Sequence, residues 1–191
     1  ADQMVDSPTN NFATINPLVG RLSGGSIWSP ITSEGNLKFT GSSASYSAQN
    51  TSTISLDLGK YYAEYNILSF SNNQRIGIIS LDNWNGTTFP TNQAGNVAYA
   101  YYSDGRKETT SGLSSYGASY TTGDIIGVAY DDINGTISFY KNGVSQGTAF
   151  TGITSNNGWH FFVSTVTGNN DVANFGQDSS FAGTKTAQGN Q

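Results

Sequence analysis

The residues with the plainest chemical promise are Asp131-Asp132-Ile133-Asn134-Gly135-Thr136, two carboxylates and a carboxamide ahead of a glycine. An EF-hand holds calcium with such residues, its glycine at the sixth position of a twelve-residue loop and a bidentate glutamate at the last. With Gly135 at the sixth position, the first ligand position falls on Tyr130 and the last on Lys141, and neither can serve. A hard cation needs several converging oxygens and only two carboxylates are at hand, so no metal is assigned; a lectin-style calcium on Asp131 or Asp132 stays the open alternative. The same letters read better as a turn. Asn134-Gly135 suits the two positive-φ positions of a type I′ hairpin joining strands at 125–131 and 136–141, and Asn142-Gly143 makes the next turn.

Catalysis finds little to work with. Glycoside hydrolysis needs two carboxyl groups flanking one bond, and the only glutamates, Glu34, Glu64 and Glu108, each stand alone. His160 is the sole histidine, set among aromatics in GWHFFV with no nucleophile elbow in the chain, so it reads as a strand histidine. GRLSGGS (20–26) lacks the lysine of a phosphate loop. No catalytic residue and no cofactor are assigned. Three sequons, at Asn50, Asn85 and Asn134, are what chance supplies in a chain so rich in Asn, Gly and Thr.

Recognition is the better prospect. Trp84 sits in SLDNWNGTTFP among turn-forming neighbours, with Asn83 and Asn85 beside it, where a ring could stack on a sugar or peptide and amides could orient it. Tyr99 and Tyr101 are candidates in AYAYYSDGRK, but their alternation equally fits the buried face of a strand. Asp104 and Arg106 lie on the turn that follows. Trp28 suits a plug for the N-terminal stretch, and Trp159 suits the core.

The elements that must position these groups are strands. Charged residues are 11% of the 191, and there are 23 glycines and 4 prolines. Segments of alternating or apolar character recur about every ten residues between turn signals, as in a sandwich or barrel. The expected strands are 37–40, 52–58, 61–70, 75–81, 97–102, 125–131, 136–141, 147–151, 159–166 and 172–175. In the second of these, Ile54, Leu56 and Leu58 should face inward; in TISFYK the inward pair should be Ile137 and Phe139. Eight basic against thirteen acidic residues leave no positive field for nucleic acid. No apolar run approaches the length that would cross a bilayer, and with no cysteine there is neither disulfide nor thiolate.

Several segments, taken in order, resemble the SPRY (B30.2-like) domain. They are LGKYYAEYNI (58–67), RIGIIS (75–80), YYSDGRK (101–107), GDIIGVAYDDINGTISFYKNG (123–143) and NFGQ (174–177), and the likeness runs from about Gly35 to Gln177. The resemblance implies an all-β, two-sheet antiparallel sandwich related to concanavalin-type lectins. It also implies a binding module rather than an enzyme, one that holds protein loops, peptides or other ligands on loops at one side of the sandwich. DSPTNNFATINPL followed by SEGNLKF is further similar to the lead of SPRY-containing proteins of tailed phages.

The expected organisation is an extended lead-in over 1–34, the sandwich over 35–178 and a polar, mobile tail over 179–191. The first functional expectation is an extracellular virion-surface adhesin, a fibre or tail component, that recognises a host glycan or protein through Asn83, Trp84, Asn85, Tyr99, Tyr101, Asp104 and Arg106. The second is an architectural virion protein that decorates a capsid or tail or self-associates. The third is a cellular SPRY adaptor that grips a peptide.

Overall fold

The structure is a computed structural model that describes residues 11–43, 47–71, 73–154 and 157–188. In chain order its strands are β1 (Arg21–Ser23), β2 (Ser26–Trp28), β3 (Pro30–Ser33), β4 (Lys38–Gly41), β5 (Ala48–Thr51), β6 (Lys60–Ser69) and β7 (Arg75–Ser80). There follow β8 (Ala98–Tyr102), β9 (Arg106–Thr109), β10 (Gly112–Ser115), β11 (Ile125–Asp131), β12 (Thr136–Lys141), β13 (Val144–Phe150), β14 (Trp159–Thr165) and β15 (Asn170–Asn174). A 3-10 turn at Pro90–Asn92 is the one helical element among the described residues.

Two antiparallel sheets make the sandwich, one in the order β10-β9-β8-β7-β14-β5 and the other β13-β12-β11-β6-β15-β4-β3. β1 and β2 form a separate hairpin across Gly24-Gly25, both left-handed at φ 62° and 78°, as a two-residue turn requires. Period two places Ala63, Tyr65, Ile67, Ile126, Val128, Tyr130, Ile137 and Phe139 of one sheet against Ile76, Ile78, Tyr99, Tyr101, Trp159, Phe161 and Val163 of the other. Aromatic rings dominate this interface. Tyr101 lies 5.2–5.3 Å from the rings of Tyr116, Tyr120 and Phe139, within the range of favourable ring pairs.

Four expectations change. The strand expected at 52–58 lies earlier, at β5, and 52–59 leaves the sheet as a loop with Ile54 41% and Leu58 75% exposed while Leu56 is buried. Local bonding explains it: Ser55 Oγ donates to Asp57 Oδ2 at 2.7 Å and Leu58 sits at φ 60°, which no strand tolerates. The 132–135 loop is not a type I′ turn, since Gly135 alone is left-handed (φ 59°) and Asp131 accepts the Asn134 N–H at 3.0 Å. Asn142-Gly143 is such a turn, with φ 50° and 76° between paired Lys141 and Val144. The N-terminal stretch is more than a lead-in, because Ile15 is fully buried and β3 forms an edge of the seven-stranded sheet.

The C-terminal stretch expected to be mobile lies, as far as Gln188, against the outer face of that sheet. Phe181 is 6% exposed and Lys185 Nζ donates to the Gly123 carbonyl at 2.6 Å. Trp28 donates to the Ser23 carbonyl at 3.1 Å and so packs on its own hairpin.

One polar cluster interrupts the core. Asp171, fully buried on the inner side of β15, accepts a hydrogen bond from Gln74 Nε2 at 2.6 Å, and its Oδ1, Gln74 Oε1 and the Tyr65 hydroxyl have no protein partner. Burial pushes the Asp171 carboxyl well above its ordinary value of 3.8, and the Gln74 bond offsets only part of this. The raised folded-state value means this group favours folding fully below the unfolded value and progressively less as pH rises toward the folded one. Asp171→Asn should therefore match or exceed the parent in stability at pH 7, with an advantage that shrinks as pH falls toward 4. Urea denaturation across that range measures it, and a variant equally inferior at every pH would show that the carboxyl is not kept neutral.

Candidate functional site

Residues 81–97, between β7 and β8, fold back across the outer face of the six-stranded sheet. Trp84 is partly buried over Ile79, Ala98, Ala100 and Phe162, and its indole N–H donates to the Thr88 carbonyl at 2.7 Å. It is a cover on a second small core and not an open stacking platform. Asn85 Oδ1 accepts the backbone N–H groups of Thr87 and Thr88, both at 2.9 Å. Gln93 ties the loop shut, accepting from Asn85 N at 2.9 Å and donating to the Asn83 carbonyl at 2.7 Å. Asn83 and Asn85 are both exposed, and Asn83 Nδ2 donates to Ser80 Oγ (2.9 Å) and Asn157 Oδ1 (3.4 Å).

Tyr99 and Tyr101 point into the sandwich, and Tyr101 is fully buried with its hydroxyl donating to the Ala118 carbonyl. Neither can touch a ligand, which corrects their place among the binding candidates. Asp104 and Arg106 pair with each other at 2.7 Å across the turn at the far end of β8 from Trp84, about 13 Å along the strand. They do not join the 83–85 group in one site.

Instead Arg106 begins a row that contains all three arginines of the chain. Its guanidinium lies 5.6 Å from the Tyr102 ring, Arg75 lies 4.6 Å from the same ring and 4.5 Å from Phe89, and Arg21 lies 5.5 Å from Phe89. Glu108 receives Arg75 Nε at 2.5 Å, and Arg21 Nε donates to the Thr87 carbonyl at 3.0 Å. The row staples the β1–β2 hairpin and the 81–97 loop to the sheet, with its charge largely matched by Glu108 and Asp104.

An open concavity lies at the end of the sandwich where β7 stops and β14 starts. Ser55, Asp57, Asp82, Gly158 and His160 line a polar cleft of about 330 Å³. Gly158 is left-handed (φ 55°), and a Cβ there would come within 2.6 Å of the Asp82 carboxylate, so glycine keeps that acid in place. His160 Nδ1 lies 2.8 Å from the Ser52 carbonyl. A carbonyl only accepts, so Nδ1 carries the proton and Nε2 is left as the acceptor. Burial, more than the opposing pull of the Ser52 bond, Asp57 and Asp82, lowers the His160 pKa and keeps the ring neutral at pH 7. Ser55 gives its proton to Asp57, so no serine–histidine relay exists here.

Exposed apolar side chains follow in sequence. Leu58, next to Asp57, is 75% exposed, and Ile133, next to the Asp132 that bonds Leu58, is 70%. Leu58 is held in its left-handed conformation by Asp132, whose Oδ2 accepts the Leu58 N–H at 2.9 Å while Oδ1 accepts the Tyr130 hydroxyl at 2.6 Å. The acids first suspected of binding metal thus have separate structural tasks, since Asp131 pairs with Lys60 at 3.0 Å and caps the Asn134 turn. Asp57, Leu58, Asp82, Ile133 and His160 were not among the sequence candidates. The signal was Asp57-Leu58-Gly59, a break in the alternation that reads as a strand only if the glycine is ignored.

The family model for the SPRY domain matches residues 60–178. Ran-binding protein 9 of Danio rerio is 35% identical over 112 residues, 58% of this chain and 19% of that protein. Its Xenopus tropicalis counterpart is 32% identical over 163 residues, 73% of this chain and 30% of that protein. The chain thus spans well under half the length of these curated relatives. Among solved structures, the crystal structure of the SPRY domain of human HERC1 superposes with a TM-score of 0.69 at 18% identity, covering 86% of this chain and 99% of that one. That likeness shows the fold. None of these matches carries the likeness to phage-encoded proteins.

Truncating Trp84 should act on folding before it acts on binding. Trp84→Ala is expected to cost roughly 2–4 kcal/mol, a little below a fully buried tryptophan, because a partly buried ring over four buried side chains is lost. Denaturant unfolding measures this, and a variant as stable as the parent would return Trp84 to the list of surface contacts.

Proposed function

The chain belongs to the SPRY domain family, and from that premise we propose that it is a cellular binding adaptor. Its end-loop cleft grips a partner polypeptide, taking a lysine or arginine between Asp57 and Asp82 and an adjacent apolar side chain against Leu58 and Ile133. The observation that carries this reading is Leu58. Its side chain is mostly exposed, its backbone is left-handed without being glycine, and a buried carboxylate holds it so. Such strain persists only where surrounding structure over-determines it, and it gathers at binding and switch sites. Burying Leu58 under a partner would contribute about 1–2 kcal/mol, and the two carboxylates supply orientation and charge complementarity.

The cleft is suited to holding rather than to reacting. The neutral His160 Nε2 and the two acids all accept hydrogen bonds, which matches an ammonium or guanidinium with several N–H donors. A family premise, an acidic concavity and an exposed Leu58 next to it in sequence all favour a peptide over a glycan, which would ask for an exposed ring where Trp84 is instead folded inward.

Selection from a random peptide library is the direct test. The parent should enrich sequences in which Lys or Arg adjoins a Leu, Ile, Val or Phe. Asp57→Asn with Asp82→Asn should weaken those peptides by about tenfold or more, close to 1.4 kcal/mol, and remove most of the salt dependence. Leu58→Ser should weaken them without unfolding the protein. Peptides that bind the double variant as tightly as the parent, or whose amide shifts centre on Asp104 and Arg106, would sink the assignment.

A further inference from the structure

A second concavity lies away from the end loops, between the outer face of the seven-stranded sheet and the C-terminal segment that crosses it. We propose that this cavity binds a small neutral carboxamide with a short apolar body. It measures about 240 Å³, smaller than the roughly 300–1,000 Å³ of sites for drug-sized ligands. Leu68, Val172 and Phe181 make its walls apolar, and Phe181, 6% exposed, belongs to the covering segment. A site roofed by the chain itself admits a small molecule more readily than a polypeptide.

Two polar atoms in this apolar setting lack partners. Asn66, 1% exposed, lines the cavity with Oδ1 buried and unbonded, and Gln177 Nε2 is likewise buried and unbonded. Asn66 stands on a strand paired on both sides, to Ile125 of β11 and Val172 of β15, and Gln177 is anchored by its Oε1, which accepts the Phe175 N–H at 2.7 Å. An orphaned buried acceptor and an orphaned buried donor are each costly and rare. A carboxamide answers both at once, its N–H donating to Asn66 Oδ1 and its carbonyl accepting from Gln177 Nε2.

Charge at the mouth argues for a neutral ligand. Glu34 and Asp178 both line the cavity; Glu34 is paired with Lys38 at 3.1 Å, and Asp178 is already satisfied by the Ser180 N–H at 2.9 Å and the Ala182 N–H at 2.5 Å. A carboxylate would meet two like charges and would offer Asn66 no proton. This site is independent of the end-loop cleft, and it stands whether or not that cleft binds peptides.

The probe is N-isobutylacetamide, a secondary amide on a branched four-carbon body, titrated into the full chain and followed by NMR. Isobutyl acetate, of nearly the same shape but without the N–H, is the control. The amide should shift Leu68, Val172 and Phe181 saturably, and the ester should bind about tenfold more weakly, because it leaves Asn66 unpaired. Gln177→Met should also lose about tenfold in affinity for the amide, with backbone shifts confined to the neighbourhood of Phe175, whose N–H loses its acceptor. Val172→Phe, filling the cavity, should abolish binding; should it fail to fold, the ester and Gln177→Met still decide. Absence of saturable shifts at these residues would overturn the proposal, as would equal binding of ester and amide, or of amide to parent and Gln177→Met.

Discussion

Asp132 is 3% exposed and has both carboxylate oxygens spoken for, one by the Tyr130 hydroxyl inside the sandwich and the other by the Leu58 N–H. Its backbone N–H reaches the Gly59 carbonyl at 2.9 Å. One residue therefore joins the β11–β12 hairpin, the start of β6 and the loop before it. Removing the carboxylate would free Leu58 to relax from its left-handed conformation and would leave Tyr130 unsatisfied beside Trp159, whose ring is 6.5 Å away. The shape of the cleft follows, since Asp57 lies next to Leu58, and Tyr61 fixes that stretch by donating to the Asp57 carbonyl at 2.6 Å.

The sandwich behind that constraint is built mostly of aromatic rings, with hydroxyls directed to carbonyls at the margins. Tyr120 donates to the Gln74 carbonyl at 3.2 Å and Tyr116 to that of Gly147 at 2.5 Å. Among the described residues this lets large rings fill a wide core without orphaned buried hydroxyls, Tyr65 excepted. The arginine row does comparable work outside. A row of stacked guanidinium and aromatic planes holds the β1–β2 hairpin, which has exposed Leu22 and Ile27 and little buried area of its own.

What could be read in the sequence was what burial writes into it. β11 and β12 fall at the expected residues, and β6, β7, β8 and β14 within one of them at each end, because their inner positions alternate Ile, Val, Tyr and Phe. β9 and β10 went unseen, since Arg-Lys-Glu-Thr and Gly-Leu-Ser-Ser have little or no buried apolar face and β10 is exposed throughout. The 52–58 stretch misled for the opposite reason, alternating well while a carboxylate 74 residues away dictated its backbone. The site suffered in the same way. Trp84 looked exposed because its neighbours are turn-formers, but a tryptophan among turn-formers can also be the one apolar anchor that lets a loop lie down on a sheet. Tertiary partners of that kind leave no local period to detect.

Both outer faces of the sandwich are partly covered by the chain's own segments, the six-stranded sheet by 81–97 and the seven-stranded sheet by the C-terminal stretch. A groove of about 320 Å³ across β6, β11 and β12 stays open, with Tyr62 and Tyr140 edge to face at 6.0 Å. Its ions, Lys60 and Asp131, answer each other, and Tyr62 donates to Glu64 at 3.1 Å. The end-loop cleft differs in having two carboxylates with no lysine or arginine lining it, in a chain already carrying a net charge of −5. Like charges held close in a concavity favour a cation from outside, and the bonds that fix the 52–59 loop, from the Tyr61 hydroxyl to the Asp57 carbonyl and from the Leu58 N–H to Asp132, spare a partner part of the ordering cost that a mobile loop would impose. The proposed recognition thus rests on an end of the sandwich where, among the described residues, two carboxylates lack a basic partner lining the cleft and Leu58 beside them is exposed.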